Sequence, residues 1–145
     1  MQTGADPAPP PDLLVDTSVA VALVVADHDH HEAVAAAIGA RRLGLAGHAA
    51  FETFSVLTRL PPPARRESKV VGQLIRASFP ASRFLDAADT AALLDRLAGL
   101  GIAGGAVYDA LVGAVAVAHG LPLATRDARA VDVYRTLDVE FELLD

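Results

Sequence analysis

The sequence predicts an α/β fold on a mostly parallel sheet. Three observations predict it. Strand-like and helix-like segments alternate along most of the chain. The strand segments are apolar along their length, as strands covered on both faces must be. Isolated acidic residues fall at or just beyond strand ends, where ligand sites of such sheets lie.

The elements follow in order. Residues 1–11 are Pro-rich and read as a disordered tail before one domain over 12–145. Asp12 to Asp16 reads as a short apolar strand, and Thr17 and Ser18 are N-cap residues for a helix from about Val19 to Val25. Asp29 followed by Glu32 resembles a capping box opening a second helix to about Ile38. Arg42 to Ala46 is a second strand. A helix from Ala49 to Leu60 follows, stopped by Pro61, Pro62 and Pro63. Arg65 to Ser78 is a basic amphipathic helix with Val70, Leu74 and Ala77 on one side. Ser82 to Leu85 is a strand and Ala87 to Leu97 a helix. Gly104 and Gly105 precede an apolar helix from Ala106 to His119, which Gly120 ends. Leu121 to Thr125 is a strand, Ala128 to Thr136 a helix, and Glu140 to Leu143 the last strand, the fifth.

A chain of 145 residues is long enough for one full core. No uncharged run reaches the roughly 18 to 20 apolar residues of a membrane span. The first residues carry neither a basic n-region nor an apolar h-region. Zero cysteines exclude a disulfide framework and Cys-ligated zinc. The expectation is a cytoplasmic protein with no membrane partner. The net charge of −6 argues against nucleic acid as a partner, but its distribution weakens that argument. From Arg59 to Arg83, six basic residues (Arg59, Arg65, Arg66, Lys69, Arg76, Arg83) face Glu67 alone. Such a segment is either a solvated helix face or a site for phosphate.

Three acids are energetic anomalies. Asp16 is the only charge from Leu13 to Ala26, Glu52 the only one from Leu43 to Thr58, and Asp109 the only one from Ala103 to Ala118. An ionised carboxylate in a core is costly unless paired or hydrogen-bonded, and these runs contain no Lys or Arg. Asp127, two residues past the strand ending at Thr125, joins them at the same sheet edge. Two carboxylates about 4 Å apart repel by roughly 4 kcal/mol at an effective dielectric near 20. A cluster of four therefore takes up protons or binds a cation. With oxygen ligands only, that cation is hard: Mg²⁺, or Mn²⁺. Such a site suits phosphodiester hydrolysis.

Other candidates weigh less. His28, His30 and His31 with Asp27 and Asp29 are metal-like in composition but polar and loop-like, with no distant partner. His48 and His119 sit at element ends and read as ordinary. Thr17, Ser18 and Thr125 cap, or bond to a site carboxylate or its water. Tyr108 reads as core, and Arg126 as a surface residue or a phosphate contact. No GxGxxG, GxxxxGK[ST] or GxSxG is present. A receiver-type phosphoacceptor domain normally needs a Lys after a late strand, and the one lysine, Lys69, is mid-chain.

The segments LLVDTSVAVAL, GHAAFETFSVLTRLP, GGAVYDALVGAVA and LATRDARAVDVY together resemble the PIN-domain ribonucleases, and more closely the VapC-type toxins of type II toxin–antitoxin pairs. The resemblance runs from about Leu13 to Leu144. It implies a three-layer PIN-like domain with a central, mostly parallel five-stranded sheet. It implies Asp16, Glu52, Asp109 and Asp127 as an acidic quartet. Asp16 and Asp109 would be the most direct Mg²⁺ ligands, Asp127 would complete the metal site, and Glu52 would hold or polarise the attacking water. It further implies an endoribonuclease that cuts single-stranded or looped RNA to 5′-phosphate and 3′-hydroxyl ends, a homodimer, and a small cognate antitoxin. Arg65, Arg66, Lys69 and Arg126 are the candidate RNA-binding residues. The rival readings are a catalytically silent PIN-like binding module and a nuclease acting on DNA.

Overall fold

The alternation of the sequence becomes a parallel sheet with helices on both sides in a computed structural model, which describes Gly4 and residues 8–145. The elements are β1 (Leu13–Val15), α1 (Thr17–Val24), α2 (His31–Ile38), β2 (Leu43–Leu45), α3 (His48–Thr58), α4 (Ser68–Ser78), α5 (Ala87–Arg96), α6 (Ala106–His119), β3 (Leu123–Thr125), α7 (Val131–Thr136) and β4 (Phe141–Leu143). The expected disordered tail over 1–11 lies largely outside the described residues. Ala8 to Pro11 are exposed and carry no secondary structure. No helix among the described residues is long and apolar enough to cross a membrane.

The sheet among the described residues has four parallel strands in the order β2-β1-β3-β4, one fewer than the sequence suggests. The expected strand over Ser82–Leu85 is reduced to a single parallel bridge, Ala46 with Arg83. The cause is local. Ala81 and Arg83 donate their amides to Leu43 and Leu45, but the Leu45 amide turns to the Ser82 hydroxyl at 2.9 Å. That side-chain bond takes the place of the ladder bond needed to extend the pairing. Gly44 permits the close crossing, because a Cβ there would collide with the Ala81 carbonyl.

Leu13, Leu14, Val15, Leu45, Leu123 and Ala124 are fully buried. Each large one contributes about 1.5 to 3 kcal/mol of burial free energy, so the two central strands cannot shift register cheaply. The chain leaves β1 for β2 on one side and returns to β3 on the other. The switch point therefore lies just beyond the carboxyl ends of β1 and β3.

Four helix expectations need correction. Helix α1 starts at Thr17 with Asp16 as its N-cap, so neither Thr17 nor Ser18 caps it. Asp29 does not cap α2. That helix begins at His31 behind His30, with no side-chain cap. Helix α4 begins at Ser68 rather than Arg65, and its buried side is set by Val71, with Ile75 and Phe79 in the same row, not by Val70, Leu74 and Ala77. Two apolar rows were available, and docking on α3 selects one, leaving Val70 half exposed. The helix expected over 128–136 divides into a 3-10 turn, Ala128–Ala130, and α7.

Candidate active site

The site begins at the end of β1. Asp16 is the N-cap of α1, its carboxylate accepting the Val19 amide at 3.3 Å. The Ser18 hydroxyl donates to Asp16 Oδ1 at 2.6 Å and accepts the Arg126 amide at 2.8 Å. Ser18 thereby ties the exit of β1 to the exit of β3. On the other side, the Tyr134 hydroxyl donates to Asp16 Oδ2 at 3.2 Å. Gly113 on α6 makes room for this tyrosine, since a Cβ there would lie 3.0 Å from Tyr134 Cδ1.

Asp16 is only 6% exposed, and its hydrogen-bond partners among the described residues are neutral. Burial pushes its carboxyl above the ordinary aspartate value, and hydrogen bonds from Ser18, Thr125, Val19 and Tyr134 offset part of that rise. Burial, with the Asp16 charge next, drives the Tyr134 hydroxyl far above the ordinary tyrosine range, so it remains a proton donor. The Thr125 oxygen accepts the Asp127 amide at 3.0 Å and holds the start of the loop after β3.

Asp109 lies in the first turn of α6. Its pKa is pushed up to about 6, first by burial and then by the charges of Asp127, Asp16 and Glu52; Arg129 opposes the shift. Asp109 therefore feels the charge of each of the other three expected acids. All four line a single open cleft of about 290 Å³ together with Thr17, Ser18, His28, Tyr108, Arg126 and Tyr134. Arg126 is the only Lys or Arg among the lining residues described. Asp127 is partly countered by Arg129 at 3.6 Å, but that guanidinium is almost wholly exposed.

The donor set is carboxylate and hydroxyl oxygen, which fits a hard divalent cation. The Thr17 hydroxyl and the Arg126 Nε are buried at the same cleft with no partner. No three acidic or histidine side chains among the described residues stand close enough to share an ion as they are.

The remaining expectations separate. Thr17, Ser18 and Thr125 all sit at the cleft or support its carboxylates. Arg65, Arg66 and Lys69 do not line it. Arg65 donates to the Leu60 carbonyl at 2.9 Å and Arg66 to the Val24 carbonyl at 3.1 Å, which fastens the loop between α3 and α4. Tyr108 is not core. It is 54% exposed and stacks on His48, with ring centroids 4.9 Å apart, so His48 is not an ordinary end residue either. In the histidine-rich segment, His28 accepts the His30 amide and also lines the cleft, and His31 bonds the Ala22 carbonyl. Tyr134 was missed by sequence reasoning. Its only signal was an aromatic residue in a short polar helix near the last strand.

Comparison with known proteins identifies the family. The PIN domain family model matches residues 13–136. The chain is 47% identical over 129 residues to Ribonuclease VapC27 of Mycobacterium tuberculosis, covering 89% of this chain and 94% of that protein. It is 48% identical over 131 residues to Ribonuclease VapC40 of the same species, covering 89% and 96%. Among solved structures, VapBC2 of Rickettsia felis, bound to a DNA fragment from its promoter, superposes with a TM-score of 0.65 at 14% identity, covering 92% of this chain and 98% of that one. The chain, with its four acids gathered beyond β1 and β3, belongs to the PIN domain family and to its VapC-type nucleases.

Proposed function

We propose that this protein is a Mg²⁺-dependent (or Mn²⁺-dependent) endoribonuclease acting as the toxin of a toxin–antitoxin pair, with looped regions of structured RNA as its substrate. One observation carries the reading: four carboxylates converge on one cleft, and burial, followed by the charges of the other three, raises Asp109. Nearly half identity to two proteins named ribonucleases supports RNA over DNA. A solved relative of the same fold is a VapBC complex, which supports a cognate antitoxin as partner.

In this reading Asp16, Asp109 and Asp127 hold the cation, which supplies Lewis-acid activation of water and neutralises charge on the scissile phosphate. Tyr134 and Ser18 fix the orientation of Asp16. Glu52, exposed and lining the cleft, holds or polarises the attacking water. Arg126, lining the cleft, contacts a phosphate oxygen through its guanidinium. The water oxygen bonds to phosphorus as the bond to the 3′ oxygen breaks, leaving 5′-phosphate and 3′-hydroxyl ends. The test incubates purified protein with RNA and with DNA of the same sequence, with Mg²⁺ or with EDTA. RNA cut only with the metal is the expected result; cleavage surviving EDTA, or preference for DNA, overturns the reading.

A further inference from the structure

The acidic cleft raises a problem of grip: of the residues described along it, Arg126 alone is a fixed cation, in a chain of net charge −6. Phosphate contacts therefore hold little of a bound strand. Aromatic groups lie where the basic ones are missing. Tyr108, adjacent to Asp109 and lining the cleft, is more than half exposed and stacks on His48 at an interplanar angle of 24°. His48 in turn borders a neighbouring hollow of about 180 Å³ with Phe51 and Phe84, whose rings meet edge to face at 6.3 Å. Phe51 precedes Glu52, and both phenylalanines are more than half exposed. Exposed rings cost solvation and gain nothing in the isolated chain. Here the two ring pairs border adjoining hollows, the first of them the acidic cleft.

We infer that Tyr108 and His48, continued by Phe51 and Phe84, form a stacking track for an unpaired nucleobase next to the scissile phosphate. The inference rests on the RNA-cleaving reading and adds how the strand is held and which positions of it are read. A base has a flat π-face that a half-exposed tyrosine accepts whatever its sequence, and single-stranded RNA is commonly bound this way. The Tyr108–His48 pair is already parallel, so stacking needs no rearrangement. The acids then act on a phosphate positioned by its neighbouring base rather than by its charge.

The test is single-turnover cleavage of an oligoribonucleotide with a mapped cut site, compared with copies made abasic on either side of that site. In the wild type, one abasic position costs roughly ten-fold or more in kcat/KM. Tyr108→Ala shows a similar loss on the intact oligonucleotide and no further loss on the abasic one, while Tyr108→Phe restores wild-type behaviour. His48→Ala gives a smaller loss of the same pattern. Equal abasic penalties in wild type and Tyr108→Ala overturn the track and leave the nuclease reading standing. Absence of any RNA cleavage by the wild type overturns both. Full activity of Tyr108→Ala with loss of self-association assigns the rings to a second copy of the chain and overturns the track.

Discussion

Two charged regions of this molecule differ in what balances them. The cleft gathers Asp16, Glu52, Asp109 and Asp127, and the chain leaves most of their repulsion in place. The segment entering α4 is also charged, yet Arg65 and Arg66 spend donors on the Leu60 and Val24 carbonyls, and Lys69 is exposed to water. A charge that the fold has solvated or hydrogen-bonded needs nothing from outside. A buried charge set among like charges keeps a raised pKa and marks a candidate functional site.

The comparison breaks most directly at the acids. Asp16→Asn or Asp109→Asn should lower RNA cleavage by roughly 10²- to 10³-fold or more. Asp109→Asn should also raise the melting temperature of the metal-free protein, because a repelling charge is gone. Retained cleavage in either variant would mean that the cleft is not the reacting centre.

Tyr134→Phe comes next. It removes the hydroxyl from Asp16 while keeping the ring beside Gly113. Activity or Mn²⁺ affinity should fall roughly ten-fold, with a stability cost of about 1 kcal/mol. Titration of Mn²⁺ by electron paramagnetic resonance separates the two effects, and an unchanged affinity with unchanged activity would reduce Tyr134 to packing.

A pH series sharpens the electrostatic argument. The folded-state pKa of Asp109 is raised to about 6 from an ordinary 3.8, so within that window the native state binds more protons than the unfolded one. Its contribution therefore lowers stability as pH rises from about 4 to 6, and the full cost persists above. Thermal melts in EDTA should show this slope, and Asp109→Asn should flatten it. Added Mg²⁺ or Mn²⁺ should raise the melting temperature near neutral pH and do little where Asp109 is protonated. A divalent effect equal at both pH values would count against Asp109 as a ligand.

The smallest effect belongs to the basic segment. If Arg65, Arg66 and Lys69 touch RNA, changing them to Ala should weaken binding and flatten its logarithmic salt dependence by about 0.7 for each phosphate no longer neutralised. An unaltered slope would make the segment a solvated face with two loop anchors.

Much of the fold was legible because strand and helix have different periods and caps. β1, β2, α6 and β3 appear close to where their apolar runs and turn residues put them. The fifth strand was not, because a serine hydroxyl competing for one amide is invisible in a pattern of apolar residues. Nor was the buried row of α4, since Val70 and Val71 are equivalent until α3 supplies a neighbour. Tyr108 was misread as core because an aromatic residue in an apolar helix usually is. Only the packing of α6 turns it outward against His48.

The sequence by itself singled out Asp16, Glu52 and Asp109 as lone charges in apolar runs; the fold buries Asp16, half-buries Asp109 and leaves Glu52 exposed, so the expected core cost holds for the first two only. The sequence also determined the strand ends on which Asp16 and Asp127 sit. Only the tertiary structure decided that the four share one cleft and that Tyr134, from more than a hundred residues away, holds Asp16. The same packing kept the Arg65 segment away from the cleft and put aromatic rings beside it. Coulomb interactions and hydrogen bonds act over ångströms of space, and distance along the chain does not report them.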